Sequence, residues 1–343
     1  GLKIYDNSWN KQKNSNDSYP IYAEKDGNGG VLMEGMTAAR DNSLIMLEDD
    51  LNYVTGDLSK VRIMAGSSVT QAQIDALAVA SVGDSKYQFL TEAIGAAQDG
   101  QTVTLLADAT KDVVISKSIT LDLGGKTLTN TDAGKATISV QSGTVTVKNG
   151  NVVGGNDYYN IEAKKDANLT LTDVTATAGN TGSSMIDNWG TLTITSGTYT
   201  GGLNVVKSEE GSVLNISGGT FTRETAPRWG ITGTVLVYGT TTITGGTFNE
   251  KSTSTNARVV VTGRVDGYDS ITYVKGGTFN GNGNNVFHHL SPAQAGDSFE
   301  VSGGTFNKSI PDYYCADGFI PTKNAGGTYG VKEGPVSYTH LRA

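Results

Sequence analysis

Cysteine is almost missing from this chain: Cys315 is the only one in 343 residues. No intramolecular disulfide is possible, so the fold must stand on its core alone. A disulfide-stapled module is thereby excluded, although secretion is not. Proline is scarce as well, with 6 residues, and only 17% of the residues are charged. Nowhere do about 18 apolar residues follow one another, so no transmembrane helix is expected. A signal-peptide pattern is also absent. The chain opens at Gly1 rather than at methionine and is read as a fragment or a processed product. Basic runs are lacking, and the formal net charge is -8. Nucleic acid and an anionic membrane surface would both be repelled, so neither is an expected partner.

What is abundant is glycine, 45 residues, together with threonine, valine and asparagine. That mixture suits short strands joined by tight turns and does not suit helices. One pattern recurs: apolar–x–apolar, a polar residue, then Gly-Gly-Thr-aromatic. It reads Leu214-Asn215-Ile216-Ser217-Gly218-Gly219-Thr220-Phe221, and it returns through Gly245 to Phe248, Gly276 to Phe279 and Gly303 to Phe306. Weaker copies run from Leu121 to Leu128, Val145 to Val152, Leu169 to Ala176 and Leu192 to Tyr199. The closing residue falls at 128, 152, 176, 199, 221, 248, 279 and 306. A motif that persists while its spacing varies has fixed strands and variable loops. Further strand-like runs lie between the motifs, among them Ala136 to Val140, Leu203 to Val206, Val235 to Val237 and Arg258 to Val261.

Each coil therefore carries three short strands, with alternate side chains pointing inward and outward. The spacing predicts an all-β fold, a parallel β-helix or solenoid over about residues 101 to 310. Phe221, Phe248, Phe279 and Phe306 are expected to point inward and stack in one column. Eight or nine coils would make a rod roughly 40 Å long. A β-sandwich also has short strands but would not repeat one motif at the period of a coil.

Solenoid ends need covering. Tyr87 to Ala97 has apolar residues at 90, 93, 94 and 97, the spacing of a helix, and is expected to form an N-terminal capping helix. Cys315 to Val331 carries Asp317-Gly318 and Gly326-Gly327 turns and is expected to close the far end as a hairpin. Three segments follow: a less regular N-terminal segment, 1–84, expected to be an attachment region or a partial domain; the capped β-helix, 85–333; and 334–343, whose composition breaks from what precedes it and is expected to be a non-native tail. Thr70-Gln71-Ala72-Gln73 matches a capping box leading into a short helix at Ile74 to Ala78.

Ala93-Ile94 through Leu128, with Asp99-Gly100-Gln101-Thr102 and Ile119 to Leu128, resembles the opening of right-handed, pectin-lyase-like β-helix repeats in bacterial surface proteins and phage fibres. The Gly-Gly-Thr-Phe copies, Cys315-Ala316-Asp317-Gly318 and Gly327-Thr328-Tyr329 resemble the same group. The likeness spans roughly residues 85 to 333. It implies a setting outside the cell, at the cell surface or on a virion. It is silent on activity, because that fold hosts lyases, hydrolases, adhesins and spikes.

The chemistry-bearing candidates are few. Asn130-Thr131-Asp132 resembles a motif of the polygalacturonase-like branch, but the accompanying Asp pair, Gly-His-Gly and Arg-Ile-Lys do not occur. Asp132 is expected in a turn, with no second carboxylate within about 10 Å across a groove. Arg264, Asp266 and Asp269 lie close in sequence, as a calcium-dependent lyase would need, yet their setting reads as a turn. His288 and His289, adjacent on a strand, face opposite ways and cannot readily share a metal. Cys315 has no nearby histidine to activate it. No glycine-rich segment has the strand–loop–helix context of a phosphate site, and no cofactor or metal is implied.

One turn column is more suggestive. Aligning the coils on the strand at Leu192 gives Ser142, Asp166, Trp189, Gly211, Tyr238, Asp269 and Gly296. Trp189 and Tyr238 are then exposed aromatics on one face, two coils or about 10 Å apart, placed to stack on sugar rings. The expected function is a non-enzymatic surface or fibre protein that adheres or presents, with glycan as ligand. The alternative is a polysaccharide lyase or glycoside hydrolase of the same fold, with its site on the loops of the long coils between 221 and 279.

Overall fold

The structure, a computed structural model, describes residues 75–334 except 131, 156–157, 179–181, 226–229, 264–268, 284 and 291–295, together with five short strands between residues 21 and 63. The chain divides into two compact units, residues 1–97 with 103–107 and residues 98–102 with 108–343.

In the first unit every second strand pairs in parallel. Ile21–Ala23 pairs with Ile45–Leu47, which pairs with Val61–Ile63, and Val31–Met33 pairs with Val54–Gly56. Such alternation is how a coil with two strands per turn is wired. Ala80–Val82 then turns back on Ser85–Tyr87, and its other edge runs antiparallel to residues 103–105. The helix spans Leu90–Ala96 and buries Leu90, Ala93 and Ile94, the positions its spacing selects. It starts later than expected because Tyr87 belongs to a strand. The capping box at Thr70 to Gln73 lies outside the described residues.

The second unit is a parallel β-solenoid of about seven turns. By the strand spacing that is roughly 34 Å, shorter than expected because eight copies of the motif bound seven turns. Three sheets line it. The first stacks Val113–Ile115 through Phe287–His289, the second Thr120–Asp122 through Ser298–Val301, the third Thr127–Thr129 through Thr305–Phe306. The expected closing residues stack in the third sheet: Leu128, Val152, Ala176, Tyr199, Phe221, Phe248, Phe279 and Phe306 are register partners, none more than 1% exposed. Tyr199, Phe221, Phe248 and Phe279 lie with centroids 4.9–5.0 Å apart and rings within 9° of parallel. Burying each ring contributes about 1.5–3 kcal/mol, and each ring pair about 0.5–1.5 kcal/mol more.

The Gly-Gly corner meets two separate demands. A Cβ on Gly218, Gly245, Gly276 or Gly303 would lie 2.2–2.3 Å from a carbonyl oxygen of the coil before it. The second glycine of each pair has φ between 96° and 111°, which side chains rarely adopt. Beyond the corner, Arg223 and Glu250 are register partners with their side chains 0% and 1% exposed, joined Nη1 to Oε2 at 3.1 Å. The closing hairpin pairs Phe319–Lys323 with Tyr329–Glu333, and Tyr329 also pairs antiparallel with Phe306.

Candidate functional site

Strands of the first sheet open on a buried apolar residue, such as Ile186, Val206 and Phe287, so the residue after it points outward. In register these are Val114, Ser139, Glu162, Asp187, Lys207, Leu236, Val261 and His288. An outward ladder on a solenoid is ordinarily wet. Val114 is, at 55% exposed, but Glu162 and Asp187 are only 4% and 1% exposed. Three consecutive coils thus place charged side chains, two of them acids shut off from water, on one face.

The turn after this sheet sets the rest of the site. Trp189 N donates to Ala163 O, Glu209 N to Asn188 O and Tyr238 N to Ser208 O, at 2.7–2.8 Å. Lys164, Trp189, Glu209 and Tyr238 therefore follow one another on four successive coils. Trp189-Gly190 and Tyr238-Gly239 make their turns in two residues. The intervening coil takes four, Glu209 to Ser212, and passes so close that a Cβ on Gly239 would lie 2.4 Å from Ser212 O and 2.6 Å from Glu209 O. Counted back from the second sheet, Trp189 and Tyr238 stand opposite Asp166 and Gly211, the column read from the sequence. Counted forward from the first sheet, their neighbours are Lys164 and Glu209, which that column misses because the turns differ in length. Trp189 is 40% exposed, as expected, but Tyr238 is half-buried rather than exposed, with the Lys207 ammonium over its ring.

The polar contacts are local and charged. Lys164 Nζ contacts Glu162 Oε1, and Lys207 Nζ contacts Glu209 Oε1. Ser139 Oγ donates to Glu162 Oε2 at 2.8 Å, and Gln141 Nε2 donates to Ser139 Oγ at 2.7 Å. The Lys207 ammonium also lies 5.5 Å from the centre of the Tyr238 ring. Trp189 Nε1 donates to Asp187 Oδ2 at 2.8 Å. Asp187 Oδ1 is buried and faces no donor. Burial first, then the charge of Glu209, pushes the Asp187 carboxyl up to about 7 against the pull of Lys207 and Trp189. Glu209 neighbours the Asp187 carboxyl, so protonating Asp187 relieves the repulsion between two buried acids. Burial together with Asp187, Glu209 and Glu162 raises the Tyr159 hydroxyl, which places that ring in the same field. Lys164 is held above its ordinary range: burial opposes this, and Glu162 outweighs it.

The other sequence candidates sit elsewhere. Asp132 is in a turn, its N–H donating to Asn130 Oδ1 at 2.9 Å. It is not alone, contrary to expectation. Lys135 Nζ lies 3.4 Å from Asp132 and 3.7 Å from Asp112, so the two carboxylates share one cation well inside the expected limit. The lysine brings them together, and Asp132 remains exposed, its side chain at 55%. Arg264 and Asp266 lie outside the described residues, and Asp269 packs against Gly296. His289 Nε2 lies 3.2 Å from Asp297 Oδ2, and His289 N donates to the Tyr314 hydroxyl. His288 sits on the outward ladder; burial, then Arg258 and His289, lower its pKa. The Cys315 thiol is pushed up to about 11 by burial and Asp312, which keeps it protonated at neutral pH. Among the described residues no group of side chains has metal-ligand geometry, and no helix is long and apolar enough to cross a membrane.

Comparisons with protein-family models, with curated proteins and with solved structures find no match to this chain. The likeness to pectin-lyase-like repeats therefore rests on the sequence motifs alone, while the parallel solenoid stands on the strand pairing.

Proposed function

We propose that the protein is a non-enzymatic adhesion or presentation rod of a bacterial surface or phage fibre, binding glycan on the face around Trp189 and Tyr238. The observation that carries this reading is one column of side chains. Trp189 and Tyr238 stand two coils apart, about 10 Å, with Glu209 between them and Lys207 beside Tyr238. An exposed indole offers a flat apolar face to a pyranose, and the flanking Lys164 and Lys207 ammonium groups offer hydrogen bonds to hydroxyls. One such contact is weak, so useful affinity comes from several rods or several contacts acting together.

The polysaccharide-cleaving alternative has converging acids in its favour, as glycoside hydrolysis requires. Yet Glu162, Asp187 and Glu209 are 4%, 1% and 2% exposed, and a scissile bond must reach the acid that protonates it. The binding reading is preferred on that ground. A glycan array with the intact chain and a Trp189→Ala, Tyr238→Ala double variant tests it. Bound glycans should fall to background in the variant. Unchanged binding would leave the two rings with packing roles only, and reducing ends released from an array polysaccharide would favour the alternative.

A further inference from the structure

Asp187 and Lys207 are direct register partners on adjacent strands of the first sheet, Ile186–Asn188 and Val206–Ser208, and both point outward. Their backbones are one coil apart, about 4.8 Å. Glu209, two residues beyond Lys207, lies on the same side of the strand. Its carboxylate touches Lys207 Nζ and neighbours Asp187. An amine, a carboxyl and a second carboxyl are thus held together where Asp187 and Glu209 are 1% and 2% exposed. The two Asp187 oxygens are unlike. Oδ2 accepts the Trp189 indole N–H at 2.8 Å, whereas Oδ1 is buried without a donor.

We propose that Asp187 and Lys207 condense to an amide that covalently ties two consecutive coils, with Glu209 as the proton carrier. The Lys207 ammonium gives one proton to Glu209, freeing the Nζ lone pair. Nζ attacks Asp187 Cγ, and the negative charge that develops on Oδ2 is stabilised by the Trp189 N–H already in place. Glu209 passes its proton to the Oδ1 hydroxyl, the Cγ–Oδ1 bond breaks, and water leaves. The surplus proton on Nζ returns to Glu209, which ends protonated. One C–N bond replaces one C–O bond, nothing is oxidised or reduced, and no co-reactant is needed. A neutral Asp187 is the competent reactant, because an amine does not displace oxide from a carboxylate; burial beside Glu209 favours that form. Shelter from water then protects the amide. The bond forms without glycan, although it draws on Lys207 and Trp189 of the same face.

Mass spectrometry of the purified full chain, fresh and after prolonged incubation at neutral pH, is the test. The native chain is expected one water lighter than its sequence. Trypsin should fail to cut after Lys207 and release Asp166 to Arg223 as a single peptide, whose fragments place the link between Asp187 and Lys207. Lys207→Arg keeps the charge and cannot form the amide; it should show full mass with unchanged circular dichroism. Glu209→Gln should form the bond at least tenfold more slowly. A folded native chain that keeps its full mass and is cut after Lys207 overturns the proposal. So does a link that joins Lys207 to Glu209, or Lys164 to Glu162.

Discussion

The coils before Tyr199 and those after it turn the corner between the second and third sheets with different residues. In the later coils two glycines meet separate needs, the first close approach and the second positive φ. In two of the earlier coils the order is reversed. Asn149 has φ 58°, and Gly150 follows it, where a Cβ would lie 2.4 Å from Leu123 Cβ. One coil on, Asp173 has φ 52° and is followed by a buried valine, Val174. Asparagine and aspartate tolerate this backbone region better than other side chains, and here each has a partner. Asn149 donates to Asp122, and Ser196 Oγ donates to Asp173 Oδ1 at 2.7 Å. The strands differ to match. Ile138–Val153 and Ile161–Thr177 run through the corner unbroken, whereas later strands stop at it. The inward column changes too, from Leu128, Val152 and Ala176 to five aromatic rings. Corner chemistry is therefore exchangeable, while inward register is not.

If the later coils lean on the ring stack, Phe248→Ala should cost about 3–5 kcal/mol in denaturant unfolding, and Val152→Ala, which deletes two methyl groups, about 1–3 kcal/mol. Equal losses would erase the distinction. The corners give a smaller contrast. Gly245→Ala forces a methyl to within 2.2 Å of Ser217 O, at an expected cost of about 1–3 kcal/mol. Asp173→Gly relieves backbone strain but loses the Ser196 hydrogen bond, so it should stay within about 1 kcal/mol of the native chain.

Acidity separates one later coil from one earlier coil most gently. Burial pushes the Glu250 carboxyl from an ordinary 4.5 up to about 7, against Arg223 and the Ser252 N–H. The folded state then holds a proton that the unfolded state releases, so this group removes stability as pH rises from 4.5 to about 7 and restores it on acidification. Asp122 runs the other way. Burial raises it, but the Gly124 N–H, Lys148 and Asn149 together hold it below 3.8. Its contribution is present above that value and is lost as pH falls through its folded pKa. Amide exchange, corrected for intrinsic rates, should show the coil of Glu250 better protected at about pH 5 than at about pH 7, and the coil of Asp122 weakening only below about pH 4. Glu250→Gln should abolish the first response and leave the second.

The core was legible in the sequence because an inward column repeats its own residue type: Phe221, Phe248, Phe279 and Phe306 announce one another. The corner was legible for the same reason. The charged cluster was not. Glu162, Asp187 and Lys207 occupy the outward position of three strands, where a charge ordinarily reads as solvated. Nothing local says that the two acids among them are shut off from water. Glu209 escaped because the ungapped column counted back from the second sheet, and turns of two and four residues alternate there. A count made from both sheets would have found it beside Trp189. Asp112 was missed beside Asp132 because Lys135 joins them across coils, a contact that sequence separation hides.

The later coils differ in length, 27, 31 and 27 residues between closing phenylalanines, yet their rings remain in register. Each ring lies on a ring of its own kind, and each first glycine clears the backbone of a corner like its own. In the vocabulary of genes, such a coil is its own best neighbour. A tandem duplication of one coil would insert a rung whose upper and lower surfaces already fit, so rod length can change by copying, with no new interface to invent.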